Sequence, residues 1–146
     1  MGVEERKKHL GLLAKCPADR LDVYWRKLGL SPEFDWLRVP EIGGVMVRGR
    51  MGGTGSAFNL GEMTVTRCAV RLADGHVGHG YVQGRSRQKA EQAALIDALM
   101  QTDQADQVAQ EILTPLAELA ARDRAARTAK AAGTKVDFFT MVRGED

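Results

Sequence analysis

The sequence has little cysteine and no long hydrophobic run. Its two cysteines, Cys16 and Cys68, lie far apart, without a CxxC pair or a histidine at metal-ligand spacing. This pattern excludes a disulfide framework and a zinc site. No stretch of about 18 apolar residues is present to form a transmembrane helix, and the first residues lack the apolar core of a secretory signal. We therefore expect a cytoplasmic protein with no membrane partner.

The sequence also lacks a recognisable set of catalytic residues. Its three histidines, His9, His76 and His79, fall in different predicted elements, so no cluster of histidine, cysteine and carboxylate is indicated. Cys68 alternates with the apolar residues Val70 and Leu72, which is typical of a core position rather than of a nucleophile. We predict no catalytic residue and no metal ligand in this chain.

Composition favours one small globular domain with a basic middle segment. The chain has 146 residues, 44% hydrophobic and 27% charged, which suits a single buried core. The net charge of +2 is too small to predict a nucleic-acid partner. Residues 38–89 nevertheless hold eight basic and three acidic residues, a net +5, while the flanking segments together carry −3.

The periodicity of the apolar residues predicts an α+β fold. Helical spacing covers 4–28 and 86–131, and short alternating runs predict a small antiparallel sheet over 34–84. Gly29 suits the end of the second helix, Ser86 an N-cap, and Thr114-Pro115 the start of a new, alanine-rich helix. That last helix either packs along a thin seam or projects from the core. The domain predicted in this way spans 1–133, followed by an extended C-terminal tail over 134–146.

The sequence ADGH at 73–76 predicts a β-hairpin, because Asp-Gly favours a two-residue turn. With Asp74 and Gly75 as the central residues, Val70 lies opposite His79 and Cys68 opposite Tyr81 on a mainly apolar face. The other face then pairs Arg71 with Gly78 and Arg67 with Val82. If the preceding strand pairs in the matching register, one face of the sheet carries Arg48, Arg50, Arg67 and Arg71.

Two segments are candidates for anion binding. The glycine-rich turn holds Gly52, Gly53 and Gly55 beside Arg50, but it lacks the lysine and the following helix of a phosphate-binding loop. It is either a connection between strands or a shallow anion-binding nest. Arg85, Arg87 and Lys89 lie beside the first turn of the helix after Ser86, where they either bind an anionic partner or form a solvated basic turn.

The C-terminal segment is unusually apolar for a chain terminus. We expect it either to fold back as a core strand or to insert into a partner as an extended peptide. The apolar residues in question are Val136, Phe138, Phe139, Met141 and Val142.

Two classes of function follow from these residues. One is a small enzyme or binding module for an anionic phosphate or phosphonate ligand. The other is a non-catalytic subunit that docks into a larger assembly through its arginine face, alanine-rich helix and apolar tail. The absence of a catalytic set and the apolar tail favour the second.

Three long motifs carry a specific resemblance to a known family. The segments RMGGTGSAFNLGEMTVTRCAVRLADGHVGHGYVQGR, KAEQAALIDALMQ and VDFFTMVRGED, in that order, resemble the G subunit of the bacterial carbon–phosphorus lyase core complex. The match is close over 38–101 and 134–146 and limited to helical layout and length elsewhere.

The resemblance implies a role in phosphonate catabolism under phosphate starvation. The family is named as a subunit of alpha-D-ribose 1-methylphosphonate 5-triphosphate synthase, a transferase complex in which a phosphonate displaces the adenine of ATP. It implies partner subunits of the I, H, J and L types. Nucleosidase chemistry is attributed to the I type, and radical cleavage with an iron–sulfur cluster to the J type. No catalytic residue and no cofactor are implied for this chain. ATP and the cluster belong to the complex, and we expect the tail to anchor the chain to the I-type subunit.

Overall fold

The computed structural model describes residues 2–50 and 57–145, and the side chains of residues 2–47 and 61–132. Within these described ranges, five α-helices and three strands follow one another, with one π-helical turn. They are α1 (Val3–Lys15), α2 (Ala18–Leu28), β1 (Phe34–Arg50), β2 (Ala57–Leu72), β3 (Val77–Gln83), α3 (Arg87–Leu99), α4 (Ala105–Val108), the π-helical turn (Ala109–Leu113) and α5 (Thr114–Glu145). Helices precede and follow an antiparallel sheet of order β1-β2-β3. The predicted α+β class is confirmed.

The core lies between one face of the sheet and the helices. Leu13 of α1 and Leu21 of α2 are buried with Val70 of β2 and Val82 of β3. Nearly the whole of α3 is buried beside them, including Ile96. Because apolar burial is the main stabilising term in folding, this helix is the centre of the domain.

Two glycines in β3 allow α3 to approach the sheet closely. A Cβ atom at Gly78 would lie 2.0 Å from the carbonyl oxygen of Ala94, and one at Gly80 would lie 2.2 Å from that of Ala90. Residues four apart share one face of a helix, so the small side chains of Ala90, Ala94 and Ala98 form the matching surface. The close packing therefore requires glycine on the strand.

The β2–β3 register differs by one residue from the predicted one. Arg71 pairs with Val77, Cys68 with Gly80 and Arg67 with Tyr81. The loop contains three residues, with Gly75 at φ +97°, and the backbone N–H of Leu72 donates to the oxygen of His76 at 2.8 Å. Three-residue hairpins place glycine in this left-handed region.

That one-residue slip reverses the faces of β3. Gly78, Gly80 and Val82 are buried against α3, whereas His79 and Tyr81 are exposed. The prediction that His79 and Tyr81 lie on the apolar face was therefore wrong.

Residues 105–145 form one continuous helical stretch. Helix α5 begins at Thr114 as predicted, but Thr114 has helical dihedral angles (φ −63°, ψ −50°), so the prediction that it caps a separate helix was wrong. The backbone N–H of Thr114 donates to the oxygen of Ala109, five residues back, which is the hydrogen bond of a π-helix. Proline at 115 lacks an N–H and crowds the preceding turn of an α-helix. The wider π-helical turn directly before it accommodates this crowding, and the helix continues.

Helix α5 extends away from the domain. Its side chains from 121 to 132 are exposed, which agrees with the predicted helix that projects from the core. Its backbone is helical to Glu145, where the sequence suggested an extended tail. The predicted ends of two helices are confirmed: Gly29 terminates α2 at φ 70°, and the Ser86 hydroxyl accepts the Lys89 N–H at 3.0 Å.

Candidate functional site

A cleft lies between α1 and α5, and we call it the basic cleft. It has a volume of about 930 Å³, within the range of small-molecule sites. Three elements supply its charged walls: α1, the start of α2 and the middle of α5. Its cationic side chains are Lys7, Lys8, Lys15, Arg20, Arg124 and Arg127.

Most of this positive charge has no counterion in the described part of the chain. The one carboxylate in the lining is Asp123, and it accepts from Arg20 at 3.1 Å. Among the residues whose side chains are described, no carboxylate pairs with the other five cations. Walls of one sign around a concavity focus the electrostatic potential and raise the local concentration of anions.

His9 also lines the basic cleft. Its Nδ1 atom is buried and has no hydrogen-bond partner within the described residues. The apolar part of the lining includes Leu12, Leu113 and Leu116. The cleft thus combines apolar and cationic side chains, as ligand-binding clefts do.

The second charged surface is the face of the sheet opposite α3, which we call the open sheet face. Paired residues project to the same side, so Arg71 shares this face with Asp35 and Val77, and Arg67 shares it with Glu41 and Tyr81. Both arginines are exposed. No hydrogen bond or ion pair joins either guanidinium to another described residue.

The open sheet face is less basic than the sequence suggested. Arg67 and Arg71 lie together as predicted, but β1 places a carboxylate opposite each of them. Arg48 and Arg50 pair with Asn59 and Ala57 at the far end of the β1–β2 hairpin, and their side chains lie outside the described residues.

The turn before α3 separates the cations that the sequence grouped together. Arg85 and Arg87 are exposed. Lys89 is only 4% exposed, and its Nζ donates to the backbone oxygen of Ala14 at 2.9 Å. Burial lowers the pKa of Lys89. The suggestion that Lys89 stands beside an anion was wrong, because this lysine joins α3 to the end of α1.

Two other predicted sites fall outside the described parts of the chain. The glycine turn with Gly52, Gly53 and Gly55 lies in the gap between β1 and β2, so its role as an anion-binding nest stays a prediction. The side chains of the apolar tail residues also lie outside the described residues, and their docking role stays a prediction. These residues are Val136, Phe138, Phe139, Met141 and Val142.

Both cysteines are buried and free. Desolvation raises the pKa of Cys68 to about 11 and raises that of Cys16 as well. A thiol that stays protonated at neutral pH is a poor nucleophile. These observations support the prediction that Cys68 is a core residue.

Asp97 is the most highly connected buried charge of the described residues. Its carboxylate accepts from Arg6 Nε at 3.0 Å and from Arg6 Nη2 at 2.8 Å. It also accepts from the backbone N–H of His79 at 2.8 Å. Asp97 thus joins α1, α3 and the outer edge of β3, which is a structural role.

No group of three or more histidine, cysteine or acidic side chains in the described residues is arranged to hold a metal ion.

Sequence reasoning missed the basic cleft, because its cations come from the flanking segments whose net charge is negative. The available signal was the spacing of Lys8 and Lys15, which lie two turns apart on one face of a helix. The partner face on α5, with Arg124 and Arg127, required tertiary structure.

Among the described residues, no helix has the length and hydropathy needed to span a membrane.

Fold and surfaces together define a small α+β protein with a cleft whose cations, apart from Arg20, have no carboxylate partner among the described residues. Residues 4–144 match the model of a family described as phosphonate metabolism protein PhnG. The chain is also 46% identical over 147 residues to the Alpha-D-ribose 1-methylphosphonate 5-triphosphate synthase subunit PhnG of Rhizobium meliloti (strain 1021), covering 99% of this chain and 93% of that relative. This protein belongs to the PhnG family of phosphonate metabolism proteins, which confirms the resemblance seen in the sequence.

Proposed function

We propose that this chain is a subunit of a complex that forms alpha-D-ribose 1-methylphosphonate 5-triphosphate from ATP and a phosphonate. The observation that carries the proposal is the 46% identity, over 99% of the chain, to a relative named as a subunit of that synthase. Because the match runs through nearly the whole length of both chains, it includes the helices as well as the sheet.

Within that complex, the chain has an accessory role, and the reacting groups belong to other subunits. Its thiols are buried and protonated, and Asp97 is held by Arg6 and the β3 backbone. An iron–sulfur cluster is typically held by four cysteines, and this chain has two. The cluster implied for the complex therefore does not fit this chain and belongs to a partner of the J type.

The partners are the other core subunits, of the I, H, J and L types. Two surfaces are available for them: the open sheet face with Arg67 and Arg71, and the apolar C-terminal segment. An exposed, unpaired arginine suits an acidic surface, because its planar group binds carboxylates with two hydrogen bonds. The C-terminal segment contacts the I-type subunit most directly.

Affinity purification from phosphate-starved cells tests the proposal. The tagged full-length chain is expected to recover the other four subunit types. A version lacking 134–146 is expected to lose the I-type subunit, and Arg67→Glu with Arg71→Glu is expected to weaken recovery of a partner. Lys27→Glu with Arg122→Glu, which reverses two exposed cations on α2 and α5 away from the sheet, is the matched charge-reversal control. Recovery of the chain alone, together with hydrolysis of a phosphate ester by the isolated chain, would instead establish the small-enzyme alternative.

A further inference from the structure

We propose that the basic cleft is a binding site for a small molecule carrying an oligophosphate chain. The inference is independent of the proposed function, because it follows from the volume of the cleft and the charges on its walls. Five cations without a described carboxylate partner surround a cleft of about 930 Å³. Grouping like charges is unfavourable by itself, and a bound polyanion removes that cost.

The arrangement of the cations favours a chain of phosphates over a single one. Lys8 and Lys15 lie seven residues apart, about 10 Å along α1, so their charges are spread along the cleft. Arg124 and Arg127, three residues apart on α5, are neighbours on one helix face. Ammonium groups on one wall and guanidinium groups on the other suit an extended anion, since arginine binds phosphate oxygens through paired hydrogen bonds.

The shape of the site favours a small molecule over an acidic protein segment. The cations line a concave cleft together with the apolar side chains of Leu12, Leu113 and Leu116, and pockets of this size bury most of a ligand the size of a nucleotide. The Arg20–Asp123 ion pair joins α2 to α5 and neutralises the one carboxylate of the lining. The other lysine and arginine side chains of the lining have no carboxylate among the lining residues to offset them.

Calorimetric titration of the full-length chain with inorganic tripolyphosphate, ATP and orthophosphate tests this inference. Tripolyphosphate and ATP are expected to bind at physiological salt, at least tenfold more tightly than orthophosphate. Lys15→Gln with Arg124→Gln is expected to weaken tripolyphosphate binding at least tenfold. Lys27→Gln with Arg38→Gln removes the same charge from exposed positions outside the cleft and is expected to bind like the parent.

Circular dichroism checks that the variant Lys15→Gln with Arg124→Gln is folded. If it is not, Lys7→Gln with Lys8→Gln, which changes two exposed cleft residues of α1, is titrated in its place. The proposal is overturned if tripolyphosphate does not bind, if orthophosphate binds equally well, if the control pair weakens binding as much as the cleft pair, or if only an oligoglutamate peptide binds. If the chain recovers its partner subunits but binds no tripolyphosphate, the cleft proposal fails while the proposed function stands.

Discussion

Single residues determine how closely the layers of this domain pack. Gly78 and Gly80 are needed because backbone atoms of α3 occupy the space where a side chain would lie. The hydrophobic pattern of the sequence did not reveal this requirement, since glycine contributes nothing to periodicity. Ser86 and Gly29, by contrast, were predictable, because capping depends on local backbone geometry alone.

Gly78→Ala is expected to destabilise the protein by at least about 2 kcal/mol, because the new methyl group overlaps the Ala94 carbonyl and forces α3 away from the sheet. Urea denaturation measures the change in midpoint. Gly43→Ala, where a Cβ atom meets nothing within 4 Å, is the control and is expected to change stability by less than about 0.5 kcal/mol. Equal midpoints for the two variants would contradict the packing described for α3.

The pH dependence of stability follows from Cys68. Burial raises the pKa of this thiol to about 11 in the folded protein, against 9.0 as its ordinary value. The folded state therefore holds the proton more tightly, so the stabilisation is fully present below pH 9 and is lost as pH rises from 9 to about 11. Urea denaturation at several pH values across this range is expected to show that the free energy of unfolding falls less for Cys68→Ala than for the parent. Identical slopes would show that the Cys68 thiol titrates as it does in the unfolded chain.

The element scale shows where sequence patterns succeed and where they fail. Alternation identified both strands of the β2–β3 hairpin, but the register depended on whether the loop has two residues or three. A loop of Ala73, Asp74 and Gly75 shifts β3 by one position and reverses its faces. Likewise, Thr114-Pro115 correctly marked the start of α5, but the π-helical turn before it makes the helical stretch continuous where the sequence suggested a cap.

Asp97 connects three elements, and its removal is expected to loosen all of them. Asp97→Asn loses the ionic pairing with Arg6 and leaves that guanidinium with a weaker acceptor. We expect a loss of about 2 kcal/mol in the free energy of unfolding, since Arg6 is partly exposed and is rehydrated in the variant. Asp103→Asn, at an exposed position, is the control. Urea denaturation measures the change. If Asp97→Asn unfolded at the same midpoint as the parent, Asp97 would not stabilise the contact between α1, α3 and β3.

At the scale of the whole molecule, the sequence predicted the fold class and the family. It did so because long motifs in a fixed order are specific and because helical and strand periods are local. It did not predict the basic cleft, because only the tertiary structure brings residues of α1 and α5 to the same cleft. The open sheet face was half predicted: Arg67 and Arg71 share it, but the carboxylates of Asp35 and Glu41 lie opposite them in β1.

The measurement that most directly tests the central claim is reconstitution of the synthase complex with and without this chain. The complex is incubated with ATP and methylphosphonate, and phosphorus NMR follows formation of alpha-D-ribose 1-methylphosphonate 5-triphosphate. We predict that omitting the chain abolishes product formation and that adding back the full-length protein restores it. Product formation at an undiminished rate without the chain would contradict its assignment as a required subunit.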